Sequence, residues 1–136
     1  IDYSDVASDY WASESIRQVS GDEFMSGYPE GDFRPFESVS RLEVLVALVS
    51  GLSLDQPEAV QDILSTYSDQ GQIPEWAAPK IAAATAGNLV VSHPNPSSLN
   101  PSQPATRAET AAMIYQALVR QGKLESVSSD YIVQPK

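Results

Sequence analysis

Apolar residues recur along this chain at the spacing of α-helices. Ala12, Ile16 and Val19 lie at positions i, i+4 and i+7, which gives one apolar stripe. The stripe predicts a helix capped by Asp9, a residue type that is common at helix N-termini. Residues 42–52 are apolar nearly all round, and this pattern predicts a second helix that is central and buried.

Two sites match the capping box, in which a serine or threonine and the glutamate three residues later satisfy each other's backbone N–H groups. Ser40 with Glu43 is the first box, and Thr106 with Glu109 is the second. They predict helices that start at these residues, the second of which runs to about Arg120.

Two further helices are predicted between these boxes. Pro57 suits the first turn of a helix, and Val60, Ile63 and Leu64 would form its buried face. Another helix follows Pro74. Segments rich in glycine, proline, serine and asparagine separate the helices and predict ordered loops. The sequence therefore predicts a mainly α fold with two long structured loops and at most very short strands.

The two halves of the chain share landmarks at a nearly constant offset. The offset is 64, 65 and 66 residues for three pairs: Asp5 and Asp69, Trp11 and Trp76, and Arg41 and Arg107. Such a match indicates one helix-loop-helix unit used twice, with natural binding surfaces between the units. We place repeat one at residues 1–54, a connecting helix or linker at 55–65, repeat two at 66–122 and a C-terminal tail at 123–136.

Charge and motif content exclude several functions. The 136 residues carry 18 acidic and 8 basic side chains, for a formal net charge of −10, and no cysteine. This field repels phosphate and disfavours nucleic acid and anionic lipid as partners. The longest apolar run, residues 44–49, is far shorter than the roughly 20 residues of a membrane span. His93 stands alone and no catalytic motif is present, so we expect no enzyme, metal or cofactor.

The repeated side chains allow two interpretations each. Trp11 and Trp76 either anchor their helices to the core or expose a ring that stacks on a sugar face. Arg41 and Arg107 each lie one residue inside a helix N-terminus, where the dipole favours anions. Each arginine either forms an internal ion pair, with Asp5 or Asp69 as candidate partners, or helps to hold a carboxylate ligand.

Two other residue types have simpler interpretations. Asp5 and Asp69 are expected to close a loop through hydrogen bonds to its backbone. Gly27 and Gly31 are expected to supply positive φ in turns, and Gly27 would also let a ligand approach the backbone closely.

Four motifs of repeat one, in order, closely resemble the S-layer homology (SLH) repeat: Tyr3-Ser4-Asp5-Val6, Tyr10-Trp11-Ala12, residues 26–35 (Ser-Gly-Tyr-Pro-x-Gly-x-Phe-x-Pro), and Ser40-Arg41-Leu42-Glu43. Repeat two is similar mainly through Trp76, Pro101 and Thr106-Arg107-Ala108-Glu109. The resemblance covers about residues 2–52 and 66–120. The later half is most similar to SLH-bearing envelope proteins of cyanobacteria.

The resemblance implies a non-catalytic, extracytoplasmic anchor in the cell envelope. SLH repeats assemble in threes into a pseudo-threefold spindle, whose grooves bind peptidoglycan-linked polysaccharide bearing anionic, often pyruvylated, sugars. The ligand residues that carry over by position are Asp5, Trp11, Gly27, Arg41, Asp69, Trp76 and Arg107.

Departures from the family pattern bear on the expected partners. Ser92 replaces the loop glycine of repeat two, and only two repeats are present. We expect a missing upstream repeat to complete the spindle, or a homodimer to cover the apolar face that two repeats alone leave exposed. If Arg41 binds the glycan, its replacement by alanine should remove most wall binding with little loss of fold. The alternative function is a self-assembly module that packs against other repeats or a partner domain and binds no glycan.

Overall fold

The computed structural model describes residues 2–135, and helices dominate this part of the chain. Among the described residues there is no strand, only isolated β-bridges between Ser40 and Pro104 and between Val91 and Ile132. The predicted mainly α fold is confirmed. Short 3₁₀ turns lie at Gln70–Gln72 and Glu75–Ala77, and the α-helices are α1 (Ser13–Gly21), α2 (Arg41–Gly51), α3 (Val60–Leu64), α4 (Ala78–Ala86) and α5 (Arg107–Arg120).

Both predicted capping boxes are confirmed. The Ser40 hydroxyl accepts from the Glu43 N–H at 3.1 Å, and the Glu43 carboxylate accepts from the Ser40 N–H at 3.0 Å. Thr106 and Glu109 repeat the exchange at 3.1 and 3.3 Å. Each cap satisfies backbone N–H groups that a helix start otherwise leaves unpaired, so α2 and α5 begin where the sequence predicts.

The prediction for the start of α1 is wrong. Asp9 lies in a turn before the helix, and Ala12 precedes the first helical residue without a side-chain cap. Backbone hydrogen bonds from Tyr10 to Ala7 and from Ser13 to Tyr10 form successive turns there. Because these turns occupy the residues after Asp9, the helix begins only at Ser13. Similarly, Pro57 lies outside α3, which begins at Val60.

Helix α4 forms the centre of the core. Its residues Ile81 to Thr85 are all buried. Helices α2 and α3 pack against α4, and α5 packs against α2. The predicted burial of α2 holds for Leu42, Leu45 and Val49, whereas its other apolar residues are half-buried. Alanines in α4 allow this close packing because they occupy little space between helix axes.

Helix α1 is the counterpart in repeat one of helix α4 in repeat two, but fewer of its residues are buried. Within α1 only Ile16 and Ser20 are buried. The two helices share an anchor: the Tyr3 hydroxyl bonds Ser20 at 2.9 Å, and the Tyr67 hydroxyl bonds Thr85 at 2.8 Å. The repeats therefore use the same internal design with different outer packing.

The C-terminal tail folds back onto repeat two. The Ser92 N–H donates to the Tyr131 carbonyl at 2.9 Å, and the Val133 N–H donates to the Val90 carbonyl at 2.9 Å. Val133 is buried within the hydrophobic core. The tail is thus a strap that closes one side of repeat two.

Candidate functional site

Asp5 and Asp69 bind the backbone of the long loop in their own repeat. The oxygens of Asp5 accept from the N–H groups of Phe33 and Arg34 at 2.8 and 2.7 Å. The oxygens of Asp69 accept from two successive backbone N–H groups in the long loop of repeat two, at 2.9 and 2.8 Å. The hydrogen bond from Phe33 is the main cause that holds the pKa of Asp5 below its usual range. Both carboxylates therefore shape loops, as one interpretation of the sequence had it.

Gly27 is required by packing and not by backbone conformation. Only Gly31 of the predicted pair has positive φ, at +90°. A Cβ on Gly27 would overlap the ring of Tyr3 and lie 2.6 Å from the Asp32 carbonyl oxygen. The Gly27 N–H also donates to the Tyr3 hydroxyl at 3.0 Å. Gly27 thus lets the tyrosine anchor of repeat one pass beneath the loop.

Replacing Gly27 by alanine is expected to lower the free energy of unfolding by about 1–3 kcal/mol, the usual cost of overpacking. Urea denaturation measures this. Gly21→Ala is the matched control, because no atom lies within 4 Å of its added Cβ. Equal stabilities of the two variants would contradict the packing argument.

Arg41 joins the two repeats. Its side chain is 2% exposed. Its Nε donates to the Leu99 carbonyl at 2.9 Å, and its Nη2 donates to the Val91 carbonyl at 2.9 Å and to Ser92 Oγ at 2.8 Å. Its Nη1 pairs with the Glu109 carboxylate. All four partners belong to repeat two.

The expected internal ion pair of Arg41 therefore exists, but its partner is Glu109 and not Asp5 or Asp69. The oxygens of Asp5 and Asp69 accept from loop N–H groups instead. The guanidinium is enclosed and presents no open face to a ligand. Ser92, the departure from the family glycine, supplies one of its acceptors.

Burial raises the pKa of Glu109, but hydrogen bonds from Thr106 and the Arg41 guanidinium outweigh it, so the pKa lies below its ordinary value of 4.5. A lowered folded-state pKa stabilises the protein above the unfolded-state pKa, and this stabilisation is lost as the pH falls through the folded-state value.

We therefore expect the urea midpoint to fall as the pH is lowered below about 4.5. Glu109→Gln should be less stable at pH 7 and should show a shallower decline than the parent chain. Parallel declines in the two proteins would show that Glu109 does not contribute.

An open groove of about 1290 Å³ lies between the repeats. We call it the inter-repeat groove. The loop of residues 23–29 forms one side, α2 forms the floor, and Trp76, Pro79 and Lys80 form the opposite side. Tyr28 on the loop side is fixed by the Arg34 guanidinium, which lies 3.8 Å from its ring centre.

The lining of the inter-repeat groove combines an aromatic face with many neutral polar groups. Trp76 is 64% exposed. Burial and the neighbouring Glu43 raise the pKa of the Tyr28 hydroxyl, which donates to the Glu43 carboxylate at 3.3 Å and keeps its oxygen as an acceptor. This chemistry suits a polyhydroxylated ligand that stacks on one face and hydrogen-bonds at its edges. The neutral polar residues in the lining are Ser20, Ser26, Ser40, Ser50, Ser53, Ser102, Gln56 and Gln72.

The structure brings two of the seven predicted site residues, Gly27 and Trp76, into the inter-repeat groove. Trp11 lies outside it, 86% exposed beside Tyr10 and the equally exposed Phe36. The interpretation of both tryptophans as core anchors is wrong, because neither ring is buried.

Arg107 behaves differently from Arg41. Its side chain is exposed, and it has no ion pair or hydrogen bond to the described residues. Sequence reasoning missed Tyr28 and Lys80 as groove residues. The Ser-Gly-Tyr-Pro motif offered a signal for Tyr28, whereas no motif marks Lys80.

The family profile described as S-layer homology domain matches residues 2–45 and 66–111, more than half of the chain. The chain therefore belongs to the S-layer homology domain family. None of the helices in residues 2–135 has the length and apolarity needed to cross a bilayer.

Curated relatives match the chain over most of its length. A cellulosome-anchoring protein of Acetivibrio thermocellus is 33% identical over 102 residues, 75% of this chain and 22% of the relative. An amylopullulanase of Thermoanaerobacterium thermosulfurigenes is 32% identical over 127 residues, 90% of this chain and 7% of the relative. A surface layer protein of Brevibacillus choshinensis is 26% identical over 105 residues, 77% of this chain and 9% of the relative. The chain thus spans less than a quarter of the length of each of these relatives. The expected similarity to cyanobacterial envelope proteins stays a prediction.

Proposed function

We propose that this chain is a non-catalytic anchoring module that binds a peptidoglycan-linked polysaccharide in the inter-repeat groove. The observation that carries the proposal is the exposed Trp76 ring facing a polar, open groove between two SLH repeats. An anionic polysaccharide, of which a pyruvylated one is the expected form, is the proposed ligand class.

The relatives support an extracytoplasmic location in the cell envelope, since two of them are named as an anchoring protein and a surface layer protein. The amylopullulanase name belongs to a protein of which this chain matches 7%. We therefore attribute anchoring, and no catalysis, to the SLH portion represented here.

A pull-down tests the proposal. The chain is incubated with peptidoglycan sacculi that retain their linked polysaccharide and with sacculi stripped of it by acid. We expect retention on intact sacculi alone. Retention on both would assign binding to peptidoglycan, and retention on neither would overturn glycan anchoring by this chain.

We further propose that a third SLH-type unit completes a pseudo-threefold arrangement. Arg41 inserts into repeat two, whereas Arg107 has no partner among the described residues. In repeat one the carboxylate matching that of Glu109 is Glu43, which within residues 2–135 accepts from the Ser40 N–H and the Tyr28 hydroxyl and from no arginine. The Tyr28 hydroxyl thus occupies at Glu43 the place that Arg41 takes at Glu109, and in the proposed arrangement an arginine of an upstream repeat or of a second copy of this chain joins or replaces it there.

Trp11 and Phe36, both exposed and both packed on the half-buried Tyr10, favour the second candidate function, a self-assembly module, because such apolar patches often mark protein contacts. Light scattering coupled to size exclusion separates the cases. A dimer that dissociates in Arg107→Glu supports assembly between copies through Arg107 of one copy and Glu43 of the other. A monomer at high concentration argues against a homodimer.

A further inference from the structure

One cationic side chain, Lys80, lines the inter-repeat groove among the described residues. It is half-buried, and its Nζ donates to Ser50 Oγ at 2.5 Å. Among the described residues it forms no ion pair with a carboxylate within 4.0 Å. An ammonium group has three donors, so two remain available toward the groove.

This lack of a carboxylate partner stands out in so acidic a chain. Glu43, on the same groove lining, uses its two oxygens on the Ser40 N–H and the Tyr28 hydroxyl. Lys80 lies between Trp76 and the floor of α2, where partial exclusion of water strengthens its attraction for an anion. Glu23 and Glu43 also line the groove, so the ammonium of Lys80 is a local cationic group and does not make the groove positive as a whole.

The position of Lys80 couples it to the aromatic platform. Trp76 lies in the 3₁₀ turn Glu75–Ala77, which leads directly into α4, and Lys80 lies in the first turn of α4. Both side chains line the groove. A sugar stacked on Trp76 would thus present its ring substituents to the Lys80 ammonium.

We infer that Lys80, and not Arg41, holds the carboxylate of a sugar bound in the inter-repeat groove. This assignment rests on the proposed function. Arg41 is enclosed by four groups of repeat two, whereas Lys80 keeps free donors beside the exposed Trp76 ring. The ligand class is a glycan with a carboxylate-bearing residue adjacent to, or at, the stacked sugar.

The test uses calorimetric titration of the full chain with polysaccharide released from sacculi by muramidase. A second titrant is the same polysaccharide with its carboxylates converted to amides. The variants are Lys80→Gln, Lys80→Arg, Trp76→Ala and, as a charge-matched control, Lys123→Gln, which alters an exposed lysine outside the groove. Thermal melting verifies that each variant is folded.

We expect Lys80→Gln to weaken binding about tenfold, as for loss of a charge-assisted hydrogen bond, and Lys80→Arg to restore most of it. Lys123→Gln should bind like the parent chain. Amidation should weaken the parent chain by a similar factor and leave Lys80→Gln unaffected.

Two results would overturn the inference alone: Lys80→Gln binding like the parent while Trp76→Ala fails, or amidation weakening Lys80→Gln as much as the parent. If the parent chain binds neither titrant, the proposed function fails and the inference with it. The Trp76→Ala arm distinguishes these two failures.

Discussion

Replacing Arg41 by alanine is expected to lower the free energy of unfolding by roughly 3 kcal/mol or more. The substitution removes the buried member of a pair whose carboxylate is 29% exposed, and the Glu109 carboxylate and the carbonyls of Leu99 and Val91 lose the hydrogen bonds that Arg41 donates. Buried polar groups without partners carry their full desolvation cost. Urea denaturation followed by circular dichroism measures the loss.

Arg107→Ala is the matched control, since it removes the equivalent arginine from an exposed position. Exposed substitutions of this kind usually change stability by less than about 0.5 kcal/mol. The structure thus leads to the opposite of the expectation drawn from the SLH resemblance, that Arg41→Ala leaves the fold intact. A stable Arg41→Ala variant that no longer binds sacculi would restore the ligand role of Arg41.

Replacing Trp76 by alanine is expected to weaken polysaccharide binding by about 30-fold or more while leaving the fold intact. Aromatic residues at the centre of a binding site commonly contribute about 2 kcal/mol or more to affinity. Because the Trp76 ring is 64% exposed, its removal deletes little core packing. Titration with released polysaccharide measures binding, and thermal melting measures the fold.

Trp11→Ala provides the comparison within the same chain. Trp11 is 86% exposed and lies outside the inter-repeat groove. We expect it to bind polysaccharide like the parent chain. Equal losses in the two variants would place the glycan elsewhere or would require Trp11 to complete a second groove in an assembly.

The helices that could be predicted from sequence are those whose starts depend on local contacts. Ser40 with Glu43, and Thr106 with Glu109, satisfy one another within a single turn, so the sequence contains the whole interaction. The predicted start of α1 is wrong because two successive turns, closed by backbone hydrogen bonds from Tyr10 to Ala7 and from Ser13 to Tyr10, occupy the segment that follows Asp9. A residue type that favours a cap does not by itself decide between these arrangements.

The candidate site was harder to predict, because it depends on how the repeats pack. The sequence shows that Trp11 and Trp76 hold equivalent positions in the two repeats. It does not show that, of the two, only Trp76 lines the groove whose floor is α2. The Arg41 partner lies 68 positions away, and no short-range signal identifies it. Lys80 has no counterpart that the repeat comparison would select.

The strap formed by Tyr131 to Val133 determines where repeat two can be cut or fused to another protein. Shortening the chain at Gly122, where the repeat pattern ends, would remove Val133 from the core and leave the backbone of Val90 and Ser92 without partners. Fusion proteins that display cargo through this repeat should therefore join their linkers beyond residue 133. A junction placed at the end of α5 would produce a protein prone to unfold and aggregate, although it keeps every residue of the recognised motif.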